Sequence, residues 1–382
     1  MPAPENVAAA LAGLPSPVCA YVYDLQALRD RAARVRAALP AGTTLLYAVK
    51  ANGHPDVVHT LASVCDGLEV ASGGELQLAV GAGARQIVFG GPAKTDAELA
   101  AAITAGAQIN IESGQELRRL DRLAAAAGVV VTACVRVNRA TASVGGTHAM
   151  TGTATPFGVD EAALAEFFAL PHDNVRIAGF HLHAVSNNPD GPAHARFLAD
   201  CLAWSVTAAA RHGVDLEIVN AGGGLGIDYL SDATIDLDAL STGVTVPPGV
   251  TLIVEPGRIL AADAGWYAAE VIDLKRTHGT WFAVLRGGTH HFRLPAAWGY
   301  SHPFTVVARE LWPYPWDRPA VSDVRVDAVG ELCTPRDVLA RDQPVDRLRI
   351  GDVLLFARTG AYGWDISHHD FLRHPAPQFI VV

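Results

Sequence analysis

Through the middle of this chain, short β-rich runs alternate with alanine-rich helical stretches. That alternation constrains the fold more than any other feature. Candidate strands are Leu45–Val49, Leu68–Ala71, Gln86–Phe89, Gln108–Ile111, Val129–Val137, Ile177–His183, Leu216–Asn220 and Thr251–Glu255. Between most of them lie helix-forming segments such as Gly74–Val80, Thr95–Ala105 and Gly114–Ala127, with N-cap candidates at Thr95 and Ser113. About eight strands with intervening helices predict an α/β fold closed into a parallel (β/α)8 TIM-like barrel. An open doubly wound sheet is the alternative, because spacing alone does not establish closure.

Beyond about residue 270 the pattern changes. Trp281–Leu285, Val324–Ala328 and Asp352–Ala357 alternate without long helices and are interrupted by Pro and Gly, which predicts a smaller antiparallel β domain. The strand-like segment Pro17–Tyr23 joins that domain, and a helix over Leu25–Leu39 leads into the barrel. The expected organisation is therefore an N-terminal segment 1–35 belonging to the β domain, a barrel over 36–270, and a C-terminal β domain over 271–382.

Composition narrows the function classes. Half of the residues are hydrophobic and 18% are charged, which describes a compact chain and not a disordered one. The net charge of -10 comes without a basic stripe, so nucleic acid is not an expected partner. Five scattered cysteines form no Cys-x-x-Cys pair, which argues against a disulfide framework or structural zinc and fits a reducing compartment. Apolar runs are too short for a membrane span, and no basic segment precedes an apolar one at the N-terminus. A cytoplasmic protein is expected.

Four groups fall at predicted strand ends, where a barrel gathers its reactive side chains. Lys50 follows Leu45–Val49; it is either an imine-forming amine or a lysine extending its stem along the strand end. His183 and Ser186 lie in Gly179-Phe180-His181-Leu182-His183-Ala184-Val185-Ser186. The ring could stack on a planar cofactor and the hydroxyl could meet a phosphate, or the alternating histidines could simply belong to the core. Gly222, Gly223 and Gly224 follow Leu216–Asn220 and could converge amides on an anion, or form a tight turn; they do not complete Gly-x-Gly-x-x-Gly. Glu255-Pro256-Gly257-Arg258 offers a carboxylate for a protonated ring nitrogen and a guanidinium for a phosphate, or a surface ion pair. Together the four supply what a pyridoxal phosphate site needs.

The ordered motifs Tyr47-Ala48-Val49-Lys50-Ala51-Asn52, Glu69-Val70-Ala71-Ser72-Gly73-Gly74-Glu75, His181-Leu182-His183, Gly222-Gly223-Gly224, Glu255-Pro256-Gly257-Arg258, Gly330-Glu331-Leu332-Cys333 and Gly360-Ala361-Tyr362-Gly363 resemble the fold type III decarboxylases, the diaminopimelate and ornithine decarboxylase superfamily. The resemblance implies pyridoxal 5'-phosphate, carboxy-lyase activity, and a homodimer with active sites shared across the interface. It implies that Lys50 carries the cofactor as an imine, that His183 stacks on its ring and that Glu255 meets its nitrogen. Ser186, Gly222–Gly224, Arg258 and Tyr362 would hold the phosphate, and Cys333 would return a proton from the partner subunit. Alanine-racemase-like enzymes also place a lysine after the first barrel strand, but set an arginine at the ring nitrogen. A non-catalytic regulatory homologue would not be expected to keep Lys50, Glu255 and Cys333 together.

Diaminopimelate decarboxylases follow the cysteine with Glu-Ser, whose glutamate meets the distal ammonium; here Thr334-Pro335-Arg336-Asp337 follows Cys333. Cys-Asp, as in ornithine decarboxylases, is absent too. The segments Gly287–Trp298 and Gly363–Phe371 resemble decarboxylases of citrate-based siderophore pathways, those of staphyloferrin B, achromobactin and vibrioferrin. The implied substrate is an amino acid joined to citrate, of the citryl-diaminopropionate or citryl-serine type, with diaminopimelate or another basic amino acid as the alternative. Arg293, His290, Thr334 and Asp337 are candidate contacts for such a polycarboxylate. The pairs His290-His291 and His368-His369 lack metal-ligand spacing, and no metal is expected.

Overall fold

The computed structural model describes residues 3–141, 144–231 and 233–382. The chain divides into two compact units. One comprises Arg29–Asp228 and Ala233–Leu260; the other comprises Met1–Leu28, Tyr229–Asp232 and Ala261–Val382. These divisions fall at 28/29 and 260/261, ahead of the 35 and 270 expected from sequence. A strand beginning at Gly265 already belongs to the sheet of the second unit.

With β1 at Cys19–Tyr23, the strands of the first unit are β2 (Thr44–Ala48), β3 (Gly67–Val70), β4 (Ile87–Phe89), β5 (Gln108–Ile111), β6 (Val131–Asn138), β7 (Val175–His181), β8 (Ile218–Asn220) and β9 (Thr251–Val254). They pair in the order β5-β4-β3-β2-β9-β8-β7-β6, and β5 pairs with β6. That last pairing closes the sheet, so the open alternative is excluded. Every barrel pairing is parallel. Parallel strands are covered on both faces, which is why β3, β4 and β5 are buried at every position. Polar residues in such strands must therefore find partners inside the barrel.

Capping fixes where the helices begin. Thr95 and Glu98 form a reciprocal capping box ahead of Asp96–Thr104. Ser72 and Ser113 accept from the Glu75 and Glu116 amides to open Gly73–Gly81 and Gly114–Ala127. The latter helix closes on Gly128 in the left-handed region.

The second unit is built on the long strand β10 (Gly265–Thr277). Its first half pairs antiparallel with β1, and its second half with β11 (Thr280–Leu285). The remaining strands are β12 (Thr305–Val307), β13 (Ala320–Val329), β14 (Val338–Arg349), β15 (Val353–Ala357) and β16 (Gln378–Val381). The sheet is mixed and not wholly antiparallel: β11 runs parallel to β13, and β1 parallel to β16. The long connection between β11 and β13 permits the crossover that a parallel pair requires, where a hairpin would not. Val7, Leu11, Val18, Val22, Trp266 and Leu355 form a core beneath this sheet.

Candidate active site

Lys50 sits in a single 3-10 turn, Val49–Ala51, directly after β2. Two contacts brace that turn. The Tyr47 hydroxyl donates to the Asn52 carbonyl at 3.0 Å, and a Cβ on Gly257 would lie 2.7 Å from Ala51 Cβ. The Pro256-Gly257 bend therefore packs against the lysine turn, and only glycine allows it. The Lys50 ammonium donates to Glu69 on β3. Its side chain stays 43% exposed while Glu69 is 5% exposed, so a buried carboxylate anchors an amine that solvent and small molecules can reach.

Glu255 follows β9 and is buried. Asn220, the last residue of β8, donates its amide to Glu255 Oε1 at 2.6 Å, and His181 Nε2 lies 3.5 Å from Oε2. Burial, then the like charge of Glu69, pushes the Glu255 carboxyl up to about 7. Among the described residues, both ring nitrogens of His181 lack a hydrogen-bond partner. His183 Nδ1 accepts from the Gly223 amide at 3.1 Å, and its ring centroid stands 6.3 Å from that of His181. Burial and the Arg136 guanidinium hold both imidazoles well below the usual histidine range, so they are neutral at pH 7.

The three glycines are required by close approach. A Cβ on Gly222 would sit 2.5 Å from His183 Cβ, one on Gly223 2.5 Å from the Glu255 carbonyl oxygen, and one on Gly224 2.8 Å from the Val185 carbonyl oxygen. Gly222 and Gly224 also have φ of 70° and 108°. The strip of bare backbone thus meets His183, Glu255 and Val185 in turn. Among the described residues the Gly224 amide has no protein acceptor. Arg258 opens a short helix, Arg258–Ala261, and is 5% exposed.

Several partners carry no motif of their own. Arg136 on β6 pairs with Glu112 at 2.8 Å, and Glu112 also accepts from the Gly91 and Gly158 amides at 2.9 and 3.0 Å. Their sequence signal is a charged or amide residue in or just after an otherwise apolar barrel strand, as at Glu69, Arg136 and Asn220. A second signal is scarcity: the chain has three lysines, Lys50, Lys94 and Lys275. Lys94 is buried and pairs with Glu116 at 2.7 Å, while Lys275 lies on β10 in the other unit.

The other sequence candidates belong to the β unit. Cys333 is the exposed one of the five cysteines; burial raises the thiols of Cys19, Cys65, Cys134 and Cys201. It rides on the loop between β13 and β14, which Asp337 closes. The buried Asp337 carboxylate accepts from the Thr289 amide and hydroxyl at 2.6 and 2.7 Å and from the Leu332 amide at 2.8 Å. Those bonds occupy it as a buckle for the loop. His290 is fully buried, its ring centroid 3.8 Å from that of His291 and its Nε2 3.5 Å from Glu331. Tyr362 holds φ of 55°, and Arg293 and Thr334 line a surface cavity.

The pyridoxal-binding domain of the pyridoxal-dependent decarboxylases matches residues 25–262, more than half of the chain. The chain belongs to this family. Its enzymes are carboxy-lyases that use pyridoxal phosphate, and the barrel residues fit that group. They offer an anchored but accessible amine, neutral imidazoles, a bare glycine strip and a buried carboxylate whose raised pKa a cationic ring nitrogen would relieve. This decarboxylase is 38% identical over 95% of its length to "2-[(L-alanin-3-ylcarbamoyl)methyl]-2-hydroxybutanedioate decarboxylase" of Staphylococcus aureus, 94% of which is covered. It is 30% identical to a diaminopimelate decarboxylase of Aquifex aeolicus, over 94% of this chain and 86% of that one. The fold matches the diaminopimelate decarboxylase of Helicobacter pylori complexed with L-lysine, with a TM-score of 0.83, 24% identity, and coverage of 99% and 94%. Among the described residues, no helix is long and apolar enough to cross a membrane.

Proposed function

We propose that this decarboxylase removes, as CO2, the α-carboxylate of an amino-acid moiety joined to citrate, in the making of a citrate-based siderophore. The observation that carries this reading is the 38% identity to a decarboxylase whose name describes citrate amide-linked to C3 of alanine. The loop after Cys333 agrees with it: Thr334-Pro335-Arg336 brings no acid to meet a distal ammonium, and Asp337 is occupied in closing the loop.

In this reading Lys50 holds the cofactor, His183 lies against its ring, and Glu255 meets the ring nitrogen. Ser186, Gly222–Gly224, Arg258 and Tyr362 hold the phosphate. Bound there, pyridoxal phosphate supplies an electron sink for the pair released when the bond to the carboxylate breaks. Glu255, oriented by Asn220 and made more basic by burial, keeps a proton at the ring nitrogen and so deepens that sink. His183, oriented through Nδ1 by the Gly223 amide and kept neutral, would help hold the cofactor's ring without adding a charge beside it. Glu69 steadies the Lys50 ammonium whenever the amine is not bonded to the cofactor. Cys333, exposed on its buckled loop, delivers the proton that replaces CO2 on the substrate carbon, in a homodimer where it serves the partner's site.

A CO2-release panel tests the assignment. The citryl-diaminopropionate amide should outpace diaminopimelate, ornithine and arginine; preference for diaminopimelate would overturn it.

A further inference from the structure

The last residues of two neighbouring strands reach one carboxylate. His181 ends β7 and Asn220 ends β8, and the two are paired across the sheet. Asn220 donates to Glu255 Oε1 at 2.6 Å, while His181 Nε2 stands 3.5 Å from Oε2. All three side chains are buried, and all three belong to the same compact unit. Among the described residues neither ring nitrogen of His181 has a hydrogen-bond partner, which is rare for a polar group so deeply buried. Burial, then the cations Arg136, Lys50 and Lys94, keep the ring neutral, so it has one N–H to place. Those cations carry only donors, and Glu255 is the acid within reach of Nε2.

We infer that His181 is a positioning residue for the reaction: its Nε2–H holds Glu255 Oε2 while Asn220 holds Oε1, so the carboxylate is fixed through both oxygens. The inference rests on the role proposed above for Glu255 at the cofactor's ring nitrogen. A neutral donor suits that task, because it fixes the second oxygen without adding a positive charge that would compete with the ring nitrogen. A gap of 3.5 Å is closed by a small turn of either side chain, and such bonds tighten when a site is loaded. Acceptance by Glu255 also sets the tautomer, with the proton on Nε2 and Nδ1 bare. The charged and titratable groups facing the pair are Glu69 on β3, Lys50 after β2, Lys94 after β4, Arg136 and Cys134 on β6, and His183 after β7. The variants below leave every one of them in place.

The test uses the cofactor-loaded enzyme and two readouts, CO2 release from the citryl-diaminopropionate amide and NMR of cofactor isotopically labelled at its ring nitrogen. His181→Leu should lower kcat by on the order of tenfold with KM little changed, and should move the ring-nitrogen signal toward its unprotonated position. His181→Gln, whose amide can reach the place of Nε2, should stay within about threefold of wild type, while the shorter His181→Asn should resemble His181→Leu. In a Glu255→Gln background, His181→Leu should cost less than about twofold more, because the two residues act as one unit; a role in packing alone would multiply the losses. The inference is overturned by wild-type kcat and an unmoved ring-nitrogen signal in His181→Leu, or by its full loss repeated in the Glu255→Gln background. Should His181→Leu fail to fold, equal kcat in His181→Gln and His181→Asn overturns it. Unchanged kcat in Glu255→Gln alone would instead sink the role proposed for Glu255, and the inference with it.

Discussion

Glu255→Gln should make the cofactor-free protein more stable at alkaline pH while crippling the enzyme. The wild-type carboxyl is pushed up to about 7, first by burial and then by Glu69, against an ordinary value of 4.5. The folded chain therefore holds a proton there that the unfolded chain has already released. The stability this provides is fully present below about 4.5 and is lost as pH rises to about 7. At about 1.4 kcal/mol for each pH unit, the span corresponds to about 3 kcal/mol. Glutamine keeps the acceptor for Asn220 and removes the charge, so its stability should not fall across this window. Urea unfolding of cofactor-stripped wild type and variant at pH 5 and pH 8 provides the assay, and the difference between the two proteins cancels the other titrating groups. The variant should be ahead by about 1 kcal/mol at pH 5 and by about 3 kcal/mol at pH 8. With the cofactor bound, the cationic ring nitrogen should erase the wild type's alkaline loss, and the variant's turnover should fall by on the order of a hundredfold. Parallel pH profiles of the two cofactor-free proteins would refute the reasoning.

Further outcomes follow from single contacts. Arg136→Met leaves the buried Glu112 with two amide donors and no cation. Denaturant unfolding should show a loss of about 3–5 kcal/mol. Gly223→Ala drives a Cβ to 2.5 Å from the Glu255 carbonyl, so it should cost about 1–3 kcal/mol and lower cofactor affinity in an absorbance titration. Cys333→Ala should slow turnover or misplace the returned proton, read by deuterium incorporation, without changing the cofactor's absorption band; unchanged rate and product would remove Cys333 from the reaction.

Much of the barrel was legible because its cause is local. Alternating β-rich and helical runs, with Thr95 and Ser113 as caps, locate the strands and helices to within about two residues. Lys50, His183, the triple glycine and Glu255 stand out because they fall at strand ends. Glu69 and Asn220 were harder to single out, since their roles depend on the neighbour across the barrel: β2 beside β3 brings Glu69 to Lys50, and β8 beside β9 brings Asn220 to Glu255. Strand direction in the β unit was illegible for a related reason. An alternating pattern gives the faces of a strand but not its partner, and β11 pairs with β13 across a long connection. The same limit hid the burial of His290 and the buckle made by Asp337, both set by contacts distant in sequence.

The central claim is that the chemistry is built on Lys50, and the scarcity of lysine makes it directly testable. Borohydride reduction of the cofactor-loaded enzyme, followed by peptide mass spectrometry, should place the pyridoxyl group on Lys50 and leave Lys94 and Lys275 unmodified. A label on Lys94 or Lys275, or no label on a protein that still releases CO2, would contradict the account.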